Sequence, residues 1–309
     1  MVDLSIIIVS WNVAELLTAC LDSIYASMPA DAAPEVIVVD SASSDGTPDV
    51  VRARFPQVTL LPQSENLGFT RCNNIGLEAA RGRCLLLLNP DTEILGDALQ
   101  QMSAYLDAHP DVGIVGPHTL NTDGTHQSTR RRFPTRLTAF FESTWLQGFA
   151  PRGLLDRYYV TDQPDDGVYP VDWVQGSALM TRREVYAQIG GLDPGYVMYY
   201  EELDWCKRAR DAGWQAAYLG TARIVHHGGK SADQTGARKH ILYQNSKLRY
   251  FRKHHGAGFA AVLRVFLLAT YAWQIALEGV KGLLGRQRDV RRQRIDTYWQ
   301  VVRSGLRVR

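Results

Sequence analysis

Three short apolar runs constrain this chain more than anything else in it: Leu4-Ser5-Ile6-Ile7-Ile8-Val9, Glu35-Val36-Ile37-Val38-Val39 and Cys84-Leu85-Leu86-Leu87-Leu88. Such continuous β-branched or leucine runs leave no polar face, so each predicts a strand buried on both sides, as in a parallel sheet covered by helices. Between and after them the periodicity predicts helices at about 14–28, 46–54, 70–81 and 97–109. Asp45-Gly46-Thr47-Pro48 supplies a turn and then a proline in a first helical turn. The order β-α-β-α-β-α requires right-handed crossovers, and the fold class is α/β, a doubly wound, mostly parallel sheet. With 309 residues and 45% hydrophobic content, the chain makes one large domain or two modest ones, and a disordered or collagen-like polymer is excluded.

In open sheets of this kind, ligands bind outside the carboxyl ends of the strands. Asp40 directly follows the second run, and Asn89-Pro90-Asp91 directly follows the third. Two carboxylates therefore meet at one edge, where a polar ligand is expected. Dinucleotide and P-loop chemistry lack support. The loop after the first strand reads Val9-Ser10-Trp11-Asn12 rather than a glycine fingerprint, and Gly229-Lys230-Ser231 has Ile224 where a P-loop needs its first glycine. Cys20, Cys72, Cys84 and Cys206 form no Cys-x-x-Cys pair, which argues against a structural zinc or a disulfide scaffold and for a reducing compartment. The N-terminus enters a strand at once with no basic leader, so no signal peptide is expected and the chain is placed in the cytoplasm.

The ordered motifs resemble the family 2 inverting glycosyltransferases of GT-A fold. They comprise residues 5–12, Val38 to Thr47, Glu65-Asn66-Leu67-Gly68-Phe69 with Asn73 or Asn74 and Gly76, and Leu88-Asn89-Pro90-Asp91-Thr92. Trp173 to Ala178, Gly190-Gly191-Leu192-Asp193, Met198 to Asp204 and Val225 to Ser231 complete the set, in family order from about residue 4 to 254. The Asn-Pro-Asp variant is most similar to the bacterial rhamnosyltransferase branch, which uses dTDP-rhamnose.

The resemblance implies roles for particular residues. Asp40 holds the nucleotide base, with Ser10, Asn12 and Ser43 lining the same pocket; each of these three is equally readable as a loop-structuring residue. Asn66, Gly68, Asn73 and Asn89 complete the donor set. Asp91 matches the last residue of the Asp-x-Asp metal motif, and Mg²⁺ or Mn²⁺ needs only one or two carboxylates plus substrate phosphates. His226 matches a histidine near the metal, with His227 the alternative. Trp173 and Gly176 shape the acceptor cleft, where core packing is the competing reading of Trp173.

The base also follows from periodicity. Residues 200–212 read as a helix ending at Gly213, on which Glu202, Trp205, Cys206 and Ala209 share one face. An inward Glu202 against apolar packing gains a raised pKa, as a general base near neutrality requires. Glu201 and Asp204 lie on a more polar neighbouring face, toward the acceptor.

Charge is segregated: residues 1–120 carry a net −10 and residues 259–309 a net +7. Residues 240–254 and 259–284 read as helices, the second with an uncharged stretch from Val265 to Leu277 and an arginine-rich sequel from Arg286 to Arg309. This stretch is shorter than the ~20 residues a bilayer crossing needs. It reads as an in-plane anchor on an anionic membrane surface, with core packing, a homodimer interface and a true span as alternatives. Such docking would serve a lipid-linked or polysaccharide acceptor and place the enzyme peripherally on the inner face of the membrane. The expected organisation is 1–120 for the nucleotide sugar, 121–254 for acceptor and base, and 255–309 as a basic apolar tail. A silent GT-A-like scaffold and a nucleotidyltransferase are the competing classes; nucleic acid is disfavoured by the acidic first 120 residues.

Overall fold

The computed structural model describes residues 2–29, 34–228, 236–285 and 288–307. The chain begins β1 (Leu4–Ser10), α1 (Ala14–Ser27), β2 (Glu35–Asp40), α2 (Thr47–Arg54), β3 (Thr59–Pro62), α3 (Phe69–Ala79), β4 (Cys84–Leu88), β5 (Thr92–Leu95) and α4 (Ala98–Ala108). It continues with β6 (Val112–Leu120), β7 (His126–Gln127), β8 (Arg130–Arg131), α5 (Thr138–Phe141), α6 (Leu154–Tyr159), β9 (Val168–Val171), β10 (Trp173–Val174) and β11 (Ala178–Arg182). Then come α7 (Arg183–Ile189), α8 (Glu201–Asp211), β12 (Gln215–His226), α9 (Ala237–His255), α10 (Ala257–Leu283) and α11 (Arg288–Ser304). The three apolar runs are β1, β2 and β4, and they are buried along almost their entire length.

The main sheet has the order β3-β2-β1-β4-β11-β6-β12-β5. β3, β2, β1 and β4 are mutually parallel, while β11 inserts antiparallel between β4 and β6. Two layers hold it. Ile6 and Ile8 share a buried cluster with Leu17, Leu21, Ile24, Leu99 and Met102 from the helices. Ile7 faces α3, where a Cβ on Gly76 would run into its Cγ2, so glycine permits the close helix–strand approach. Each large aliphatic so buried stabilises the fold by roughly 1.5–3 kcal/mol.

The chain forms two compact units, the first comprising Met1–Phe133, Tyr159–Pro194 and Glu201–Ser231. It contains the whole sheet. The second comprises Pro134–Tyr158, Gly195–Tyr200 and Ala232–Arg309. This division differs from the expected cuts at 120 and 254. α9 goes with α10 and α11 because its inward side chains pack there: Phe251 meets Phe259 at 5.5 Å and Gln244 donates to the Tyr271 hydroxyl at 3.3 Å. Within this unit the buried Lys247 donates to the carboxylate of Glu142 at 3.2 Å and to its carbonyl at 2.7 Å. Tyr199 and Tyr200 both adopt left-handed backbone (φ +69° and +68°), a strained pair. The Tyr200 ring is held against Tyr243 and Tyr250.

Candidate active site

All the expected site residues fall within the first unit. The parallel register of β1 and β2 sets Ser10 opposite Asp40. The Asp40 carboxylate accepts from Ser10 Oγ (2.9 Å), Ser43 Oγ (2.6 Å) and the Ser43 N–H (2.9 Å). Asn12, in left-handed backbone, donates its N–H to Ser43 Oγ (2.9 Å) and accepts from the Ser44 N–H (2.7 Å). Asp40 thus organises the loops that follow β1 and β2 through a largely occupied carboxylate. Ser10 is fully buried, with its hydroxyl engaged by Asp40.

Asp45, given no separate role in the sequence, ties two helices to these loops. Its carboxylate accepts from the N–H groups of Ala14 and Thr47, both at 3.0 Å, at the first turns of α1 and α2. On the other side, the exposed Asn66 accepts from Ser41 Oγ (3.1 Å) and from the Gly68 N–H (3.0 Å). Asn73 is buried and its amide donates to the Phe69 carbonyl (3.0 Å). Its neighbour Asn74 makes a reciprocal pair with the Leu192 backbone, each bond 2.8 Å, and anchors the Gly190–Asp193 loop.

At the tip of β4, antiparallel pairing of β12 with β5 sets His226 opposite Thr92 and so beside Asp91. His226 Nε2 lies 3.2 Å from Asp91 Oδ1. Its Nδ1 meets Gln127 Oε1 at 2.7 Å, and the Gln127 amide is itself oriented by donating to Asn121 Oδ1 at 2.9 Å. Gln127 Oε1 therefore accepts from the Nδ1–H, and the Nε2 lone pair faces the Asn89 amide (3.3 Å) beside Asp91. His227 is spoken for elsewhere, with its ring on Glu93 (2.6 Å) and Thr122 (3.1 Å). The geometry favours His226 over His227. The spacing argument to Ser231 falls outside the described residues, as do Gly229 and Lys230.

The residues present fit a hard divalent cation. Asn89 Oδ1 is buried without a hydrogen-bond partner among the described residues, next to the Asp91–His226 pair. No cluster of three His, Cys, Asp or Glu occurs among the described residues, so such an ion would draw its remaining ligands from substrate phosphates.

The base corner adjoins this one through the backbone. Asn89 donates its N–H to the Ser177 carbonyl at 2.9 Å, and Gly176 precedes Ser177. The Gly176 N–H donates to the Glu202 carboxylate, and a Cβ on Gly176 would sit 3.6 Å from that side chain. Burial pushes the Glu202 carboxyl above the usual carboxylate range, against the pull of the N–H groups of Glu202, Gly176 and Leu203. Its Oε2 has no partner among the described residues. Trp205, Cys206 and Ala209 are buried on the same face, as the periodicity predicts.

Three expected acceptor residues take other parts. Asp204 is fully buried and pairs with Arg208 (2.9 Å), which also clamps the carbonyls of Ile189 and Gly191, each at 2.6 Å. It is a structural ion pair. Glu201 is buried, and burial together with the Glu202 charge drives its carboxyl well up, so it presents no surface to an acceptor. Trp173 is buried with its indole N–H on the Arg132 carbonyl (3.0 Å), the core-packing alternative.

An Asn-Pro-Asp turn at the tip of β4, a histidine beside it and a half-buried glutamate reached through one backbone bond thus lie together in this unit. Residues 5–188 match the model of the family described as glycosyl transferase family 2, and the chain belongs to that family. It is a glycosyltransferase. It is 28% identical over 265 residues to the N-acetylglucosaminyl-diphospho-decaprenol L-rhamnosyltransferase of Mycobacterium tuberculosis, covering 82% of this chain and 85% of that protein. To the rhamnosyltransferase WbbL of Escherichia coli it is 26% identical over 175 residues, 52% of this chain and 61% of the relative. Among solved structures, the mannosyltransferase PcManGT from Pyrobaculum calidifontis, in complex with GDP-Man and Mn²⁺, shares the fold. That likeness has a TM-score of 0.58 and 19% identity, covering 98% of this chain and 86% of the other.

Proposed function

We propose that this enzyme is a metal-dependent, inverting rhamnosyltransferase that moves rhamnose from dTDP-rhamnose to a hydroxyl of a lipid-linked or polysaccharide acceptor. The observation that carries the reading is the backbone bond from Asn89 to Ser177, which joins the Asp91–His226 corner to the Gly176–Glu202 corner. Asp91 and His226 would hold Mg²⁺ or Mn²⁺, with Asn89 beside them. The bound ion supplies charge neutralisation at the departing diphosphate.

Asp40, Asn12, Ser43, Asn66 and Gly68 shape the nucleotide end. Glu202 takes the proton of the acceptor hydroxyl as its oxygen forms a bond to the anomeric carbon. The bond from that carbon to the diphosphate oxygen breaks on the opposite face, so configuration inverts. Residues 1–120 serve the donor and residues 121–254 the acceptor and base. The basic segment from residue 255 brings the enzyme to an anionic membrane surface, where a lipid-linked acceptor resides; both rhamnosyltransferase relatives support the donor assignment.

The test is turnover of a sugar-nucleotide panel by purified enzyme with EDTA, Mg²⁺ or Mn²⁺. Turnover of dTDP-rhamnose that needs the metal and vanishes in Asp91→Ala is the expected result. Preference for another sugar nucleotide overturns the donor, and full activity in EDTA overturns the metal.

A further inference from the structure

We propose that α10 lies in the plane of an anionic membrane leaflet, with α11 as its water-side cover, and does not cross the bilayer. The inference deepens the membrane placement above and rests on it.

By length and composition α10 passes for a span, with 27 mostly apolar residues. Its burial tells against a soluble core helix, because it is apolar on both sides. The inward side carries Ala260, Leu263 and Leu267 with Thr270, Tyr271 and Glu278. The outward side carries Val262, Val265, Ala269, Trp273, Val280 and Leu283. At 100° per residue these six fall within an arc of about 100°, with no charge among them. Val265 is 68% exposed and Leu283 84%. A helix whose outer side faces water carries polar residues there; an apolar outer face demands an apolar neighbour.

α11 decides between lying flat and crossing. The two helices form an antiparallel hairpin joined at three levels. Arg291 pairs with Glu278 at 2.8 Å, the rings of Tyr271 and Tyr298 lie 5.6 Å apart, and Arg264 donates to the Gly305 carbonyl at 2.6 Å. α11 thus accompanies α10 along its length. A crossing α10 would carry the exposed Arg288, Arg292 and Arg294 toward the hydrocarbon, where charged groups are costly. Lying flat, the apolar arc meets acyl chains and α11 stays in water. Lys281, Arg288 and Arg292, exposed at the hairpin bend, then reach anionic headgroups. In the same unit Trp145 and Phe149 are exposed, and Trp145 packs on Trp273 at 6.4 Å, an aromatic pairing suited to the headgroup level. A second copy is a poorer occupant, since a two-fold contact through this face would set the same cations against each other.

The test uses full-length protein carrying Ala257→Cys or Leu284→Cys, at the two ends of α10, bound to sealed phosphatidylglycerol vesicles. All four native cysteines are buried, so a membrane-impermeant maleimide added outside reads only the introduced thiols. Labelling at both ends is the expected result; protection of one end until detergent is added means a span and overturns the proposal. In parallel, Val265→Glu/Val280→Glu should lower vesicle flotation about tenfold or more, since each valine leaves the apolar phase. Its melting curve should stay unchanged. Wild-type protein that fails to float, or that forms a dimer the double variant splits, also overturns the proposal. Hydrolysis of dTDP-rhamnose by the double variant separates failure here from failure of the transferase reading.

Discussion

Replacing Glu202 by glutamine keeps the side chain's volume and removes only its capacity to accept a proton as a base. General-base contributions run to about 10²–10⁴-fold, equivalent to about 3–5 kcal/mol of barrier. Stability should move the other way. Burial raises the folded-state pKa of Glu202 above its unfolded value, so the folded chain binds this proton more tightly. The resulting stabilisation is complete below an ordinary glutamate pKa of about 4.3 and is lost as pH rises through the higher folded value. Glutamine carries no such dependence and also relieves Glu201, whose carboxyl is driven up in part by the Glu202 charge. Glu202→Gln should therefore turn over donor and acceptor at least a hundredfold more slowly. It should melt at or above the wild type at pH 8, with the gap closing toward pH 4. Parallel rate and melting series across that range check both halves. Wild-type turnover would remove Glu202 as the base, and a variant melting well below the wild type at pH 8 would refute the burial argument.

His226→Ala and Gln127→Leu should each weaken Mn²⁺ binding in the presence of dTDP by about 10–100-fold, while His227→Ala leaves it close to wild type; calorimetric titration reads this, and equal losses at both histidines would contradict the assignment. In the second unit, Lys247→Met should cost about 3–5 kcal/mol, because it strands the buried Glu142 carboxylate. Urea denaturation measures the loss, and a cost below about 1 kcal/mol would mean the pair is not buried as described.

The elements were legible wherever the signal was local. The runs that became β1, β2 and β4 carry their burial in consecutive residues, and Gly213, just beyond α8, marks its end in the chain itself. Asp40 and Asp91 were placed at strand ends because a strand's carboxyl end is readable once the strand is. The errors came where a side chain's partner lies far away in the chain or its exposure depends on the whole fold. Asp204 on a polar helix face looks available until Arg208 and the Ile189–Gly191 turn close around it. Gln127 carries no motif, and only the pairing of β6 with β7 brings it to a histidine 99 residues away.

What the sequence alone determined, then, was the α/β order, the edge bearing the carboxylates and the inward turn of Glu202, since all three follow from periods of a few residues. Tertiary structure decided which polar groups are spent on one another and which apolar residues of α10 face outward. Those outcomes depend on hydrogen-bond partners and burial supplied by distant segments, and no local pattern encodes them.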